Sequence, residues 1–447
     1  MADLGPGPAA DSGSERRVTL LTGSLAVTVF FGFGLLVFAI AVVLPEMMDE
    51  LGWSNAAVSA GLTIGLLSAG LAAPAVGTII DRYGGRAPMA VGAVITSGGL
   101  VLWSLVTSYP AYVASWLVMG AGMALVLYEA AFTTMVRHAP ARRRRGLLVI
   151  SFLGAVSSTA FIPVTELLVR TSGWRSALVV LAAANLVVVA PLVVVGIPGR
   201  GRVLAPEPAP PTRDAPDPGP VTPATPATDG SAPASVDDRE FPSAEGSMLR
   251  DPQLRRIGIA TLLGDAPVYA VSVHIVAYLI VSGRSTAFAA TMGGVVGLAK
   301  LAGRIGVGLV VRRVGSYALL VAGYLLVGIA LALPLLPLLL PMSGSRGDAL
   351  DVAMAIGFGL GAGAQTVTRP MYVSDLYGTV GFGRTFGRIS RIGRFSMALA
   401  PGLVGVLVTG TGGYAVAWTA MAIGSLAAAR ALPNGRRGTR AASPSPK

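Results

Sequence analysis

Twelve runs of predominantly apolar residues, separated by short polar connections, dominate the pattern along the chain. They cover 19–44, 55–80, 88–107, 111–136, 146–169 and 175–197, then 254–281, 286–311, 316–340, 350–374, 385–409 and 413–432. Crossing the hydrocarbon core of a bilayer takes about 20 apolar residues of helix. Inside lipid every backbone N–H and C=O must be satisfied within its own segment, so the runs predict helices. The first run is longer than the apolar region of a signal peptide and has no small-residue cleavage site after it. The predicted fold class is an all-α membrane protein with twelve transmembrane helices in two six-helix bundles, 18–197 and 253–432.

Between the bundles lie residues 198–252, which hold 13 of the 31 prolines and no apolar periodicity. This segment predicts a disordered linker. Residues 1–17 and 433–447 are polar and predict disordered tails. Of the 34 Lys and Arg, 25 fall in the tails, the linker and one alternating set of loops; four fall in the other set. By the positive-inside rule the linker and both termini are predicted to be cytoplasmic, in a multi-pass protein of the cell membrane.

Composition sharpens this picture. Charged residues make up 13%, against about 25% in soluble domains, and mean hydropathy is +0.69. The 58 glycines suit helices that must approach closely without a hydrophobic drive between them. With no cysteine and two histidines, thiolate chemistry is excluded and a metal site is not expected. The net charge of +12 is explained by topology and implies no nucleic acid. The run Gly357-Phe-Gly-Leu-Gly361-Ala-Gly363 lies inside an apolar helix, lacks a following Gly-Lys-[Ser/Thr], and predicts helix packing, not a nucleotide loop. No cofactor, no ATP-binding module and no catalytic constellation is visible. The chain is not expected to be an enzyme, and an ion gradient or the substrate's own gradient would supply the energy.

A repeat supports duplication. Gly77-Thr-Ile-Ile-Asp81-Arg82-Tyr-Gly84-Gly-Arg86 follows the second run, and Gly308-Leu-Val-Val-Arg312-Arg313-Val-Gly315 follows the eighth, at an offset of 231 residues. Parallel six-helix repeats joined by a linker are one transporter design. Glycine allows the tight turn and close helix ends. A carboxylate at Asp81 is placed to hold a facing helix N-terminus or an arginine, a lock on one state of a rocking pair. In the second copy Arg312 replaces the acid, so a lock there needs other partners.

The first of these loops resembles the signature loop of the major facilitator superfamily. A narrower resemblance is to bacterial members of its monocarboxylate and oxalate/formate transporter branch. It rests on Leu127-Tyr128-Glu129, Arg142–Arg145 with Gly146, Gly173-Trp174-Arg175, the stretch His274 to Arg304, and Arg369-Pro370-Met-Tyr-Val-Ser-Asp375-Leu-Tyr377-Gly378. The resemblance implies the major facilitator fold, a small-molecule substrate, no enzymatic activity, and a monomer as the usual state. It implies a substrate-linked arginine in helix 8 at Arg304, where the acid usual one turn earlier is Lys300. It also implies a basic residue in helix 11, at Arg391 or Arg394.

Ionisable groups inside a membrane are expensive and need a reason. Lys300 and Arg304 are four apart on one helix face and favour an anion between the bundles; the alternative is that Arg304 pairs with a carboxylate to join helices. Arg369, Arg391 and Arg394 are substrate or gate candidates, against simple snorkelling to the interface. Glu129, beside Tyr128, and Asp265 are the candidates for carrying a coupling proton; each could equally form an ion pair, Asp265 with Lys300. His274 is a substrate or packing residue, and Glu166 lies nearer the outer end. The expected function is secondary transport of a small organic anion, such as a monocarboxylate, with protons as the candidate coupling ion. The alternatives are a proton-coupled exporter of drugs or secondary metabolites, and a non-transporting membrane receptor or scaffold.

Overall fold

Membrane-length helices follow one another with little between them in the computed structural model, which describes residues 12–204, 251–339 and 345–434. Helix α1 runs Ser12–Phe33 and continues through a π-helical turn, Gly34–Phe38, into Ala39–Leu51. Helices α2, Asn55–Tyr83, and α3, Arg86–Ser104, follow. Helix α4 comes in two pieces, Tyr109–Val126 and Tyr128–His138, separated at the extended Leu127. The 54 residues Arg143–Gly196 would make a single rod about 81 Å long at 1.5 Å per residue. Gly173, at φ 75, breaks it into α5 (143–172) and α6 (174–196). The second half holds α7, Pro252–Val281; α8, Thr286–Val314; α9, Ser316–Ala332; α10, Ser345–Tyr377; α11, Phe382–Thr411; and α12, Ala415–Ala431. These are the twelve expected crossings among the described residues.

The duplication is legible in the backbone. Helices α2 and α8 have the same length, 29 residues, at the 231-residue offset of the loop motif. Each starts on a serine cap: Ser54 Oγ accepts from Ala57 N–H and Ser285 Oγ from Phe288 N–H, both at 3.2 Å. Each ends on a left-handed glycine, Gly84 at φ 82 and Gly315 at φ 84, a conformation that costs other residues strain.

Which end of the molecule is closed follows from how the buried apolar side chains group. One cluster joins the first half to the second through Ile257, Val307, Val311, Val367, Phe382, Phe386 and Ile389. These lie toward the end that carries the Arg-rich loops, called here the basic end. At the opposite end the second half keeps its own cluster, around Leu279, Met292, Phe358, Val404 and Trp418. Helix α2 lies along α11 across the seam. A Cβ on Gly77 would sit 2.0 Å from the Gly383 carbonyl oxygen, and one on Gly387 2.5 Å from that of Ala73. The seam therefore closes backbone against backbone. Within the second half, α8 and α10 meet equally closely: a Cβ on Gly363 would fall 2.0 Å from the Lys300 carbonyl oxygen. The glycine-rich run is helix packing.

Two expectations about the polar segments are adjusted. Residues 12–17, expected as disordered tail, form the first turns of α1. The start of the expected linker is pinned to the first half: Leu204 N–H donates to the His138 carbonyl at 2.7 Å, and His138 Nδ1 donates to the Arg202 carbonyl at 2.7 Å. The first contact satisfies a main-chain carbonyl at the end of α4, the second one in the linker. The remainder of the linker, 205–250, and the tail segments 1–11 and 435–447 lie outside the described residues.

Candidate functional site

Most of the membrane-embedded charges converge near the middle of the molecule. Leu127, where α4 is interrupted, precedes an 11-residue helix, so it lies roughly 16 Å from the basic end of α4, about half the depth of a ~30 Å core. The restart at Tyr128 presents fresh helix N–H groups at that depth. The π-helical turn of α1 lies alongside, with the Phe33 ring 4.7 Å from that of Tyr128. π-turns and broken helices at mid-membrane recur where transport sites form. The apolar pattern carries no sign of either irregularity.

Two buried ion pairs occupy this level. Arg394 of α11 donates from Nη2 to Glu129 Oε2 at 2.7 Å and from Nε to Oε1 at 3.2 Å. This pair crosses between the halves, and its side chains are 7% and 15% exposed. Arg369 of α10 donates to both oxygens of Asp265 on α7, Nη1 to Oδ2 at 2.8 Å. That pair stays inside the second half. The two are neighbours: a Cβ on Gly393, next to Arg394, would lie 2.6 Å from Asp265 Oδ2. Tyr269 stands within electrostatic reach of all four charges, and Arg369 also touches the Tyr324 hydroxyl at 3.5 Å. The pairing expected between Asp265 and Lys300 is not formed. Arg369, on a helix far away in sequence, offers a planar two-pronged donor that matches a carboxylate better than an ammonium does.

Lys300 sits at the midpoint of α8 and donates to Ser272 Oγ of α7 at 2.7 Å, with its Nζ 5.5 Å from the centre of the Phe358 ring. Arg304, one turn on, reaches the other half and donates to the Ser151 carbonyl of α5 at 2.5 Å. Tyr128 donates to the same carbonyl at 3.1 Å. The Arg304 Nε is buried with no hydrogen-bond partner among the described residues. Arg304 thus faces the seam, tied to a neutral group rather than to a carboxylate. Four cations, Lys300, Arg304, Arg369 and Arg394, share this level with two carboxylates, Glu129 and Asp265. The set carries two positive charges in excess.

The other candidates lie elsewhere. His274 donates from Nε2 to the Pro401 carbonyl at 2.9 Å, and its Nδ1 accepts from Tyr414 Oη at 3.2 Å. Both nitrogens are engaged in tying α7 to α11 and the start of α12. Arg391 is exposed. Glu166 pairs with Arg170 on the surface of α5 at 2.6 Å.

At the basic end, Asp81 accepts from the Gly383 N–H at 3.0 Å and the Arg384 N–H at 2.8 Å. A carboxylate therefore rests on the N-terminus of α11 across the seam, where the helix dipole favours it. Arg137 donates to the Asp81 main-chain carbonyl. Gly77 is the close-contact glycine one turn earlier, Arg82 lies over the Tyr83 ring at 5.3 Å, and Arg86 opens α3. In the second copy a Cβ on Gly308 would meet Leu148 of α5 at 3.3 Å, while Arg312 and Arg313 are exposed. The second cross-half contact is made by different residues. Asp375 accepts from Arg143 at 3.2 Å and Arg144 at 3.0 Å, and from Ser316 Oγ at 2.7 Å. Sequence reasoning quoted these arginines and Asp375 without pairing them. The signal was there: a run of four arginines, Arg142–Arg145, leading into the first turn of α5, and a single acid in the last turn of α10.

A Major Facilitator Superfamily profile matches residues 25–377. The chain belongs to the major facilitator superfamily. Two solved members share its architecture at low identity. The proton:xylose symporter XylE bound to 6-bromo-6-deoxy-D-glucose aligns with a TM-score of 0.68 at 12% identity, over 94% of this chain and 97% of its own. The E. coli fucose:proton symporter FucP aligns at 0.64 and 14%, over 94% and 99%. Such identities speak to the fold alone. Among curated relatives, the oxalate:formate antiporter of Oxalobacter formigenes is 32% identical over 119 residues, 25% of this chain and 28% of that protein. Monocarboxylate transporter 11 of Mus musculus is 34% identical over 116 residues, 26% of each chain. The chain thus matches about a quarter of the length of these relatives.

Proposed function

We propose that this superfamily member is a secondary transporter that moves a small organic anion by alternating access. The observation that carries the reading is the excess of two positive charges at mid-membrane depth, with Arg304 facing the seam and bound there to a main-chain carbonyl and no carboxylate among the described residues. An unneutralised charge excess in a low-dielectric interior attracts a counter-ion of opposite sign. Both carboxylates are held by arginines, so none is left open to a cationic solute. The partial matches to an oxalate:formate antiporter and a monocarboxylate transporter point to the same chemical class. Arg304, Lys300 and Arg394 are the proposed anion contacts, with Tyr128 and Arg369 positioning them.

The basic end is proposed to be cytoplasmic, with both termini and the linker on that side of the cell membrane. In that orientation the structure is closed toward the cytoplasm, and Asp81 on the α11 N-terminus, with Asp375 between Arg143 and Arg144, would be the locks that hold it shut. Two six-helix units, 18–197 and 253–432, would rock about the site as a monomer.

Ligand stabilisation of the purified protein tests the substrate class. A ligand at 100 times its Kd stabilises the folded state by about 2.7 kcal/mol. Formate, pyruvate or oxalate should raise the unfolding temperature of the wild type and not of Arg304→Ala. Stabilisation by a lipophilic cation, with none by any carboxylate, would reject the anion reading and favour a drug exporter.

A further inference from the structure

We propose that the transported anion and Glu129 are alternative ligands of Arg394, so that loading the anion places a proton on Glu129. This rests on the anion-carrier reading above and adds the coupling ion and its stoichiometry.

The argument begins with which contacts must break. Opening the basic end separates the halves, so a contact that crosses the seam is lost and one inside a half is kept. Asp265–Arg369 joins α7 to α10 and travels intact. Arg304 loses a bond to a neutral carbonyl, which water replaces. Glu129–Arg394 is the ion pair that crosses the seam at this depth, and both side chains are nearly buried. Pulling it apart leaves a guanidinium and a carboxylate uncompensated, which is far costlier than losing a surface pair.

The surroundings offer no replacement. Facing the pair are Tyr128 on α4 and Asp265 and Tyr269 on α7, with Arg304 of α8 beside Tyr128 and Arg369 of α10 beside Tyr269. Asp265 is already bidentate on Arg369, so it reaches Arg394 only by abandoning that partner. Tyr128 and Tyr269 are neutral. Arg304 and Arg369 repel a freed Arg394. Compensation has to come from outside: an anion for Arg394 and a proton for Glu129.

The exchange balances. The ion pair, one carboxylate anion and one proton become an anion–Arg394 pair and a neutral Glu129 carboxyl. The proton adds to a Glu129 oxygen as that oxygen leaves the guanidinium, and it departs when the anion does. Four cations and two negative charges are present before and after, so a monovalent anion with one proton leaves the interior charge unchanged. An empty carrier retains the pair and stays closed at the basic end. A loaded one has already replaced it. That difference is what makes movement of anion and proton obligatorily joint.

The test uses the full-length wild type first. In weakly buffered detergent solution at neutral pH, binding of formate, pyruvate or oxalate is followed together with proton uptake. About one proton taken up per anion bound supports the exchange. In proteoliposomes, one unit of inside-alkaline pH gradient should drive up to about tenfold accumulation of a labelled monocarboxylate. Glu129→Gln should bind anion without proton uptake and lose gradient-driven accumulation while still exchanging labelled for unlabelled anion. Anion binding by the wild type without proton uptake overturns the inference and leaves the anion carrier standing. Binding of no carboxylate by the wild type removes both. If Glu129→Gln does not fold, the wild-type proton count decides alone.

Discussion

Replacing Asp81 by alanine removes a carboxylate that crosses the seam onto the first turn of α11. It accepts two main-chain N–H groups, Gly383 at 3.0 Å and Arg384 at 2.8 Å. Hydrogen bonds to a charged group contribute about 1.5–3 kcal/mol each, and a charge at a helix terminus about 0.3–1 kcal/mol. Asp81 and Arg384 are half-buried, so solvent replaces part of what the freed N–H groups lose and the lower end applies, about 3 kcal/mol. That is about a hundredfold in the ratio of basic-end-closed to basic-end-open states. A carrier resting near 99:1 would fall to roughly even populations. The chain has no cysteine, so spin labels can be placed without first removing any. Ala87→Cys and Val380→Cys put exposed labels on opposite halves of the basic end. Pulsed dipolar spectroscopy should show a long-distance population rising to about half in Asp81→Ala. Arg312→Ala, which removes an exposed side chain at the equivalent loop position, should show no change. An unaltered distance distribution in Asp81→Ala would mean that Asp81 does not hold the seam.

Gly77→Val is expected to spread the same label pair and depress transport, because even a Cβ at this position meets the Gly383 carbonyl oxygen at 2.0 Å. Asp375→Ala should move the label distances less than Asp81→Ala, since one of its two arginine partners, Arg144, is 42% exposed and exposed ion pairs contribute about 0–1 kcal/mol. Arg369→Gln should destabilise the purified protein by about 3–5 kcal/mol, the cost of stranding a buried carboxylate; thermal unfolding reads it, and adding Asp265→Asn should restore most of the loss. Single-mutant destabilisation without recovery in the double would show that the arginine serves more than Asp265.

The fold was legible because lipid admits few solutions. Apolar length, the alternation of basic loops and the Gly77-to-Arg86 repeat each fix the same twelve-helix, two-bundle plan. Depth along the helix was legible for Glu129, Asp265, Lys300 and Arg304, whereas Arg369 and Arg394, whose positions toward the basic side also allow snorkelling to the interface, meet buried carboxylates at the same level. What hydropathy does not encode is which way each side chain points around its helix axis and which distant helices meet. Asp265 was therefore matched to Lys300 on the next helix, whereas α7 meets α10 through Arg369. The same blindness hid the Glu129–Arg394 contact, whose partners are 265 residues apart. The π-turn at Gly34–Phe38 lies between apolar flanks, and the break at Leu127 has no glycine or proline to mark it, so the pattern passes over both. His274 has both its nitrogens occupied, by Tyr414 and by the Pro401 carbonyl, which its place in an apolar run does not reveal.

Uptake by proteoliposomes containing the full chain tests the anion reading most directly. A panel of labelled carboxylates, organic cations and neutral sugars is offered, with and without a pH gradient. Saturable uptake confined to carboxylates, and lost in Arg304→Ala, is the predicted result. Saturable flux of a cation or a sugar with no carboxylate flux, or carboxylate uptake indifferent to Arg304→Ala, would contradict the account.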